Sequence, residues 1–213
     1  MSIILVIDTE TTGIIPQYSS ILQLAYIIYD TVTKNNIFQY NEYIKIPDSV
    51  EISAESQQIH GITREKCAEC GVSIEYAIDT LMSNISKYSV DLIVGHNVLF
   101  DKRLILEEAA RIGNEDFILL FNDIKTRCTM RQSWRLLDAV ALKTKREHWK
   151  CKHQPRLTAL YETIFGCVAA VNDTKNAHDA LTDVVLCLRC YLFLEKGYIV
   201  DAVVETAVIK TEY

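Results

Sequence analysis

A chain of 213 residues, 49% hydrophobic and 23% charged, has the balance of one sizeable globular domain and not of a disordered or repetitive protein. The net charge of −6 removes bulk electrostatics as a route to nucleic acid, so a polyanion would have to meet a local basic patch or bound cations. The apolar runs are much shorter than the roughly 18 residues of a membrane span, and the seven cysteines read as reduced thiols rather than a disulfide framework.

Ile3 to Ile7 is an apolar run that predicts a buried strand, and it passes directly into Asp8, Thr9, Glu10, Thr11 and Thr12. No charged segment precedes it and carboxylates cut it short, so a signal peptide is not expected and the chain reads as intracellular and cytoplasmic, away from membranes. Ile21 to Tyr29 predicts a second strand, and the alternating Ile37 to Ile46 a third, half-exposed one. Their short links suggest an antiparallel meander. Ser53 to His60 predicts a short helix ended by Gly61. Ser73 to Tyr88 predicts a longer one, with Ile74, Ala77, Ile78, Leu81 and Ile85 on one face. Leu92 to Val94 is a short buried strand, followed by a loop, "GHN", that opens into a helix ending near Gly113. Beyond Asp123 helical segments of more polar character are expected. Leu157 to Phe165 predicts an amphipathic helix closed by Gly166, and His178 to Lys196 the last helix. No linker or repeat divides the chain. It reads as one α/β domain over 1–197, a mixed sheet flanked by helices, with a tail at 198–213 that packs on it or docks a partner.

The carboxylates carry the chemistry. Residues i and i+2 of a strand share a face, so Asp8 and Glu10 project together, at a cost unless a cation neutralises them. Asp101 follows a short buried strand and enters a helix; alone it reads as an acid complementing the helix N-terminus. Asp183 sits on the last helix. Leu181, Val185, Leu188 and Leu192 predict that helix's main core stripe, with Asp183 nearly opposite, beside a second apolar row of Cys187, Cys190 and Leu194. His178 lies five residues earlier, where a lone histidine would ordinarily cap a helix or face solvent.

"DTETTG" at the first strand, "GHNVLFD" at mid-chain and "HDALTD" on the last helix, in that order, resemble the DnaQ-like 3′–5′ exonucleases of the DEDDh branch, which include the proofreading subunit of bacterial DNA polymerase III. "SQQIHGIT", "TRCTM" near residue 128 and "PRLTALYETIFG" add to the likeness, which covers roughly residues 3–196. The resemblance implies a ribonuclease H-like fold with a five-stranded mixed sheet. It implies that Asp8, Glu10, Asp101 and Asp183 hold two Mg²⁺ ions, replaceable by Mn²⁺, and that His178 is the general base. It also implies a substrate of nucleic-acid 3′ ends, single-stranded DNA first and RNA or oligoribonucleotides as the alternative. The residue types suit that chemistry. Phosphodiester hydrolysis needs an activated water and neutralised phosphate charge, which two hard cations supply. Carboxylates are the ligands such cations take, and an unperturbed imidazole titrates near neutrality.

By the same resemblance Thr11, Thr12, Gly13 and Ile14 cradle the terminal nucleotide, and Ile59, His60, Asn97 and Phe100 line the substrate, although Phe100 also reads as core. The basic run "LKTKREHWKCKHQPR" (142–156) departs from the family; it is either a solvated surface segment or a phosphate-tracking patch. "CAEC" and "CLRC", with His148, Cys151 and His153, have zinc-like spacing, but small buried hydrophobes are the better reading of Cys187 and Cys190. A homodimer, a polymerase partner, and a catalytically silent binding module stay open.

Overall fold

The computed structural model describes residues 3–134, 136, 155–166 and 177–197. Strands β1 (Ile3–Thr11), β2 (Ile21–Asp30), β3 (Asn35–Tyr43), β4 (Leu92–Gly95) and β5 (Lys125–Cys128) form one sheet in the order β3-β2-β1-β4-β5. The first three make the expected antiparallel meander, and β4 and β5 run parallel to β1. Around the sheet lie helices α1 (Ala54–His60), α2 (Arg64–Cys70), α3 (Ile74–Tyr88), α4 (Val98–Arg111), α5 (Glu115–Asp123), α6 (Leu157–Phe165) and α7 (Ala180–Lys196), with a short 3-10 turn at Pro16–Tyr18 and further helical residues at 129–134.

Both sheet faces are covered, which is why β1 and β2 read as continuous apolar runs. Leu5 and Ile7 of β1, with Leu24, Tyr26 and Ile28 of β2, pack against α3, α4 and α5. Ile4 and Val6, with Ala25, Ile27 and Tyr29, pack against α6 and α7. The period of two therefore decides which layer each β1 residue meets: Asp8 and Glu10 face the α7 layer, and Thr9 faces the α4 layer.

Several boundaries differ from the expectation. Strand β1 does not stop at Ile7. It continues to Thr11 because β2 runs alongside, pairing Asp8 with Ala25 and Glu10 with Gln23, before a register shift at Glu10/Thr11. Strand β3 ends at Tyr43, and Ile44 instead bridges to Val72. Helices α2 and α5 were not anticipated. Thr63 caps the first by accepting from Lys66 N–H, and Asn114 caps the second by accepting from Phe117 N–H. Phe117 and Phe121 then stack one turn apart in the core.

Beyond Asp123 the chain first forms strand β5, which was not expected, and then turns helical at 129–134, as expected. Lys102 Nζ, nearly buried, donates to Asn122 O at 2.9 Å and Ile124 O at 2.8 Å; it caps the end of α5 and turns the chain into the sheet. Helix α7 begins at Ala180, not His178, because Asp179 is its cap, accepting from Thr182 N–H. Of the expected stripe Leu188 and Leu192 are fully buried, while Leu181 and Val185 are only partly so; Ala180, Val184, Leu186, Cys187 and Cys190 are buried as well. At the start of the helix the inward residues are thus Ala180 and Val184 in place of Leu181 and Val185, and Asp183 stands at the edge of the buried face, near Asp8 and Glu10. Cys187 and Cys190 are buried, as read. No described helix is long and apolar enough to cross a membrane. Most of the basic run, from 142 to 154, and the tail at 198–213 lie outside the described residues.

Candidate active site

The site forms where the direction of the sheet changes. On one side β1 pairs with antiparallel β2 along its length; on the other it pairs with parallel β4 only from Ile4 to Val6. Past Val6 that edge of β1 is open, a crevice at the carboxyl ends of parallel strands. Gly95 ends β4 there without a side chain. A Cβ would stand 3.2 Å from Ile7 O and 3.0 Å from the Val98 side chain. Asn97 then takes a left-handed turn (φ 77°) that starts α4 and brings Asp101 back to the open edge.

Asp101 is only 3% exposed. Its Oδ1 accepts from Thr9 N–H at 3.1 Å and from Thr9 Oγ1 at 2.8 Å. The amide that β4 leaves without a ladder partner holds the carboxylate. Asp101 is therefore no solvated acid at a helix end but part of the strand-end cluster.

Asp8 and Glu10 reach the crevice from β1, and Asp183 from the first turn of α7. Ligand atoms of Glu10, His178 and Asp183 lie within 4.8 Å of one another. His178 has a left-handed backbone (φ 70°) just before the α7 cap; its side chain is exposed, while its N–H donates to the Asp183 carboxylate. Asp8, Ile59, His96, Arg156, Leu157, Thr158, Ala177, His178 and Asp183 line one cavity of about 410 Å³. The four predicted carboxylates and the histidine thus meet, although up to 175 positions separate them in the chain (183 − 8).

Their electrostatics are strained. Burial, then repulsion from Asp101, Asp183 and Glu10, pushes the Asp8 carboxyl well above its ordinary value. Burial with repulsion from Asp183 and Asp101 pushes Glu10 up to about 8. Asp101 rises to about 7 through burial, partly offset by its bonds from Thr9. Asp183 rises to about 6, again through burial, offset by His178. Among the described residues no Lys or Arg pairs with any of the four, and Asp183 Oδ1 is buried without a hydrogen-bond partner. Four oxygen donors that repel one another, one of them orphaned, fit a hard divalent cation.

The expected substrate positions separate into two groups. Ile14 is 84% and Ile59 57% exposed, and both offer apolar surface near the strand end. Asn97 is also exposed. Thr11 and Thr12 instead shape the following loop: Thr11 Oγ1 donates to Gly13 O, and Thr12 Oγ1 accepts from Ser20 N–H. His60 accepts from Ile62 N–H at Nδ1, so Nε2 carries the proton and faces Thr11 O at 3.2 Å; both ring nitrogens are engaged. Phe100 packs against the core.

Residues not singled out from the sequence also shape the site. His96 Nε2 faces Pro155 O at 2.8 Å and so carries the proton, leaving Nδ1 to accept from Thr129 Oγ1 at 3.0 Å. Burial pushes its pKa down and keeps it neutral. Its signal was its place inside "GHNVLFD". Arg156, exposed on the cavity wall, closes the basic run in the sequence. Arg111 donates to Ser19 O at 2.8 Å and to Gln17 O at 3.0 Å, and pairs with buried Glu108 at 3.2 Å, tying the β1–β2 loop to α4.

Residues 5–191 match the family model described as Exonuclease, RNase T. None of the curated proteins compared with the chain matches it. Among solved structures, Escherichia coli exonuclease I in complex with a dA16 oligonucleotide superposes with a TM-score of 0.67 at 20% identity, covering 92% of this chain and 42% of that one. The zinc ion bound form of the same enzyme with single-stranded DNA gives 0.67 at 22% identity, with the same coverage. Exonuclease I of Methylocaldum szegediense gives 0.64 at 21%, covering 92% and 41%. The chain thus spans less than half the length of these enzymes, and the likeness shows a shared ribonuclease H-like fold. With the family model matched over most of its length and the three motifs in order along that fold, the chain belongs to the DnaQ-like exonuclease family.

Proposed function

We propose that the protein is a divalent-metal-dependent 3′–5′ exonuclease that removes nucleotides from the 3′ ends of single-stranded DNA. The observation that carries this reading is the convergence of Asp8, Glu10, Asp101 and Asp183 in one crevice beside exposed His178, with no described cation to neutralise them. Exonuclease I structures with bound oligonucleotides support the choice of single-stranded DNA. The proposed nuclease domain spans residues 1–197, with 198–213 as a tail that packs on it or docks a partner.

The four carboxylates would hold two divalent ions, Mg²⁺ first and Mn²⁺ as a substitute. Bound there, the ions supply charge neutralisation of the phosphate and a more acidic water. The protein's own residues supply the rest. Thr9 fixes the rotamer of Asp101 through two hydrogen bonds. The left-handed turn at His178 aims its N–H at Asp183 and leaves its ring free to take a proton from the attacking water. Ile14 and Ile59 bracket the terminal base by apolar contact, and Arg156, which lines the same cavity as Ile59, meets phosphate.

The test is incubation of the purified protein with end-labelled single-stranded DNA and RNA, in Mg²⁺, Mn²⁺ or chelator. Stepwise shortening of DNA from the 3′ end, in the presence of metal only, is expected. Shortening of RNA alone would move the substrate to the alternative. No cleavage of either strand in either metal would reject the enzyme reading and leave a binding module.

A further inference from the structure

The β2 run "ILQLAYIIY" carries one polar side chain with hydrogen-bonding capacity beyond tyrosine, and it is 1% exposed. Gln23 sits opposite Glu10 in the β1–β2 register, so its side chain shares the α7 face of the sheet. Burying an amide there is costly unless every donor and acceptor is used. Both amide protons and the carbonyl oxygen are used, and two of the three bonds run to the start of α7. Gln23 Nε2 donates to Asp179 Oδ2 at 2.9 Å and to Asn41 Oδ1 at 2.9 Å. Gln23 Oε1 accepts from Ala180 N–H at 3.3 Å. The other Asp179 oxygen, Oδ1, accepts from Thr182 N–H at 3.2 Å and caps α7.

Gln23 and Asp179 therefore join the middle of the sheet to the first turn of α7, immediately after His178. His178 has φ 70°, a conformation that a non-glycine residue keeps only where its surroundings hold it. On its two sides lie Ala177, whose side chain offers no hydrogen bond, and Asp179, which is locked. We propose that Gln23 is a positioning residue: through Asp179 and the Ala180 amide it holds the left-handed turn that presents the His178 imidazole and Asp183 to the strand carboxylates. The inference rests on the exonuclease reading and adds to it a residue outside the three motifs that touches neither metal nor substrate.

The experiment is a double-mutant cycle on the full chain with labelled single-stranded DNA. Gln23→Met keeps the volume and removes the hydrogen bonds. Asp179→Ser keeps a helix cap but removes Oδ2, the oxygen that accepts from Gln23. Each is expected to lower kcat about 10- to 100-fold, the range for a catalytic group displaced by about an ångström, with KM within about threefold. In a His178→Ala background each should cost less than about twofold, because the side chain it positions is gone. Equal losses with and without His178, or wild-type kcat in either variant, would overturn the proposal. Should Gln23→Met not fold, Asp179→Ser decides on the same criteria. Should the wild-type protein cleave nothing, the exonuclease reading fails separately and the lock is read by hydrogen exchange. Faster exchange at the Ala180 amide in Gln23→Met then supports the lock, and unchanged exchange refutes it.

Discussion

Glu10→Gln should make the metal-free protein more stable at pH 8 while removing the proposed nuclease activity. Glu10 is 9% exposed, and its carboxyl is raised from 4.5 to about 8, by burial first and by Asp183 and Asp101 next. Between those values the folded chain holds a proton that the unfolded chain has released. Stability is therefore full at low pH and falls as pH rises through the window, the reverse of an ion-paired carboxylate. At about 1.4 kcal/mol per pH unit the gap integrates to roughly 4 kcal/mol at pH 8. The repulsion is shared with Asp8, Asp101 and Asp183, so this figure belongs to the cluster and does not multiply by four. Glutamine has nearly the same shape and no charge to lose. For a chain of this length, relief of most of that energy corresponds to a rise in Tm of roughly 10 °C. The assay is thermal unfolding in chelator from pH 5 to pH 8, for wild type and variant. Wild-type Tm should drop across the range, the variant should drop less, and the two should converge near pH 5. Added Mg²⁺ or Mn²⁺ at pH 8 should raise the wild type more than the variant. A variant no more stable than wild type at pH 8 in chelator would refute the electrostatic reading of the site.

His178→Ala should cut turnover by about 10²- to 10⁴-fold while the metal-induced rise in Tm survives; loss of that rise would make His178 a ligand and not the base. Thr9→Val removes the 2.8 Å hydroxyl bond to Asp101 and leaves the amide bond; metal affinity, measured by titration calorimetry, should weaken by about 10- to 100-fold, given about 1.5–3 kcal/mol for a hydrogen bond to a charged group. Unchanged affinity would show that the amide alone holds Asp101. Arg111→Ala strips the carbonyls of Ser19 and Gln17 of their donor and leaves Glu108 buried without its cation. A loss of about 2–4 kcal/mol in denaturant unfolding and faster proteolysis within residues 13–20 are expected, and wild-type values in both would show that the loop is held without it.

The strongest parts of this fold were legible because their physics is local. Ile4–Ile7 and, apart from Gln23, Ile21–Tyr29 are apolar because both sheet faces are covered, and Ser53, Ser73, Gly61 and Gly166 mark helix ends by capping. Strand β5 was not legible. Lys125–Cys128 has no apolar face, and it is a strand because β4 offers an edge to pair with. The buried stripe of α7 was legible at Leu188 and Leu192 and not at its first turn. A helical wheel weighs leucines over alanines, but there the buried residues are Ala180 and Val184, with Leu181 and Val185 only partly buried. Asp183 stands at the edge of that buried face, near Asp8 and Glu10.

The site divides along the same line. Residue types and their order were readable, since two carboxylates two apart on a buried strand already ask for a cation. What holds them was not, because Thr9–Asp101 spans 92 residues and Gln23–Asp179 spans 156. Yet each of these partners fixes a carboxylate's direction without supplying a full positive charge. Thr9 gives Asp101 an amide and a hydroxyl, His178 gives Asp183 an amide, and no described Lys or Arg pairs with any of the four acids. A fold selected for stability alone would place a cationic side chain in such a cluster or disperse it, since burying like charges together costs several kcal/mol. Aiming the carboxylates while leaving their charge uncompensated suits a site that a mobile cation completes, and such a cation is what the proposed hold of an acidic protein on a polyanionic strand requires.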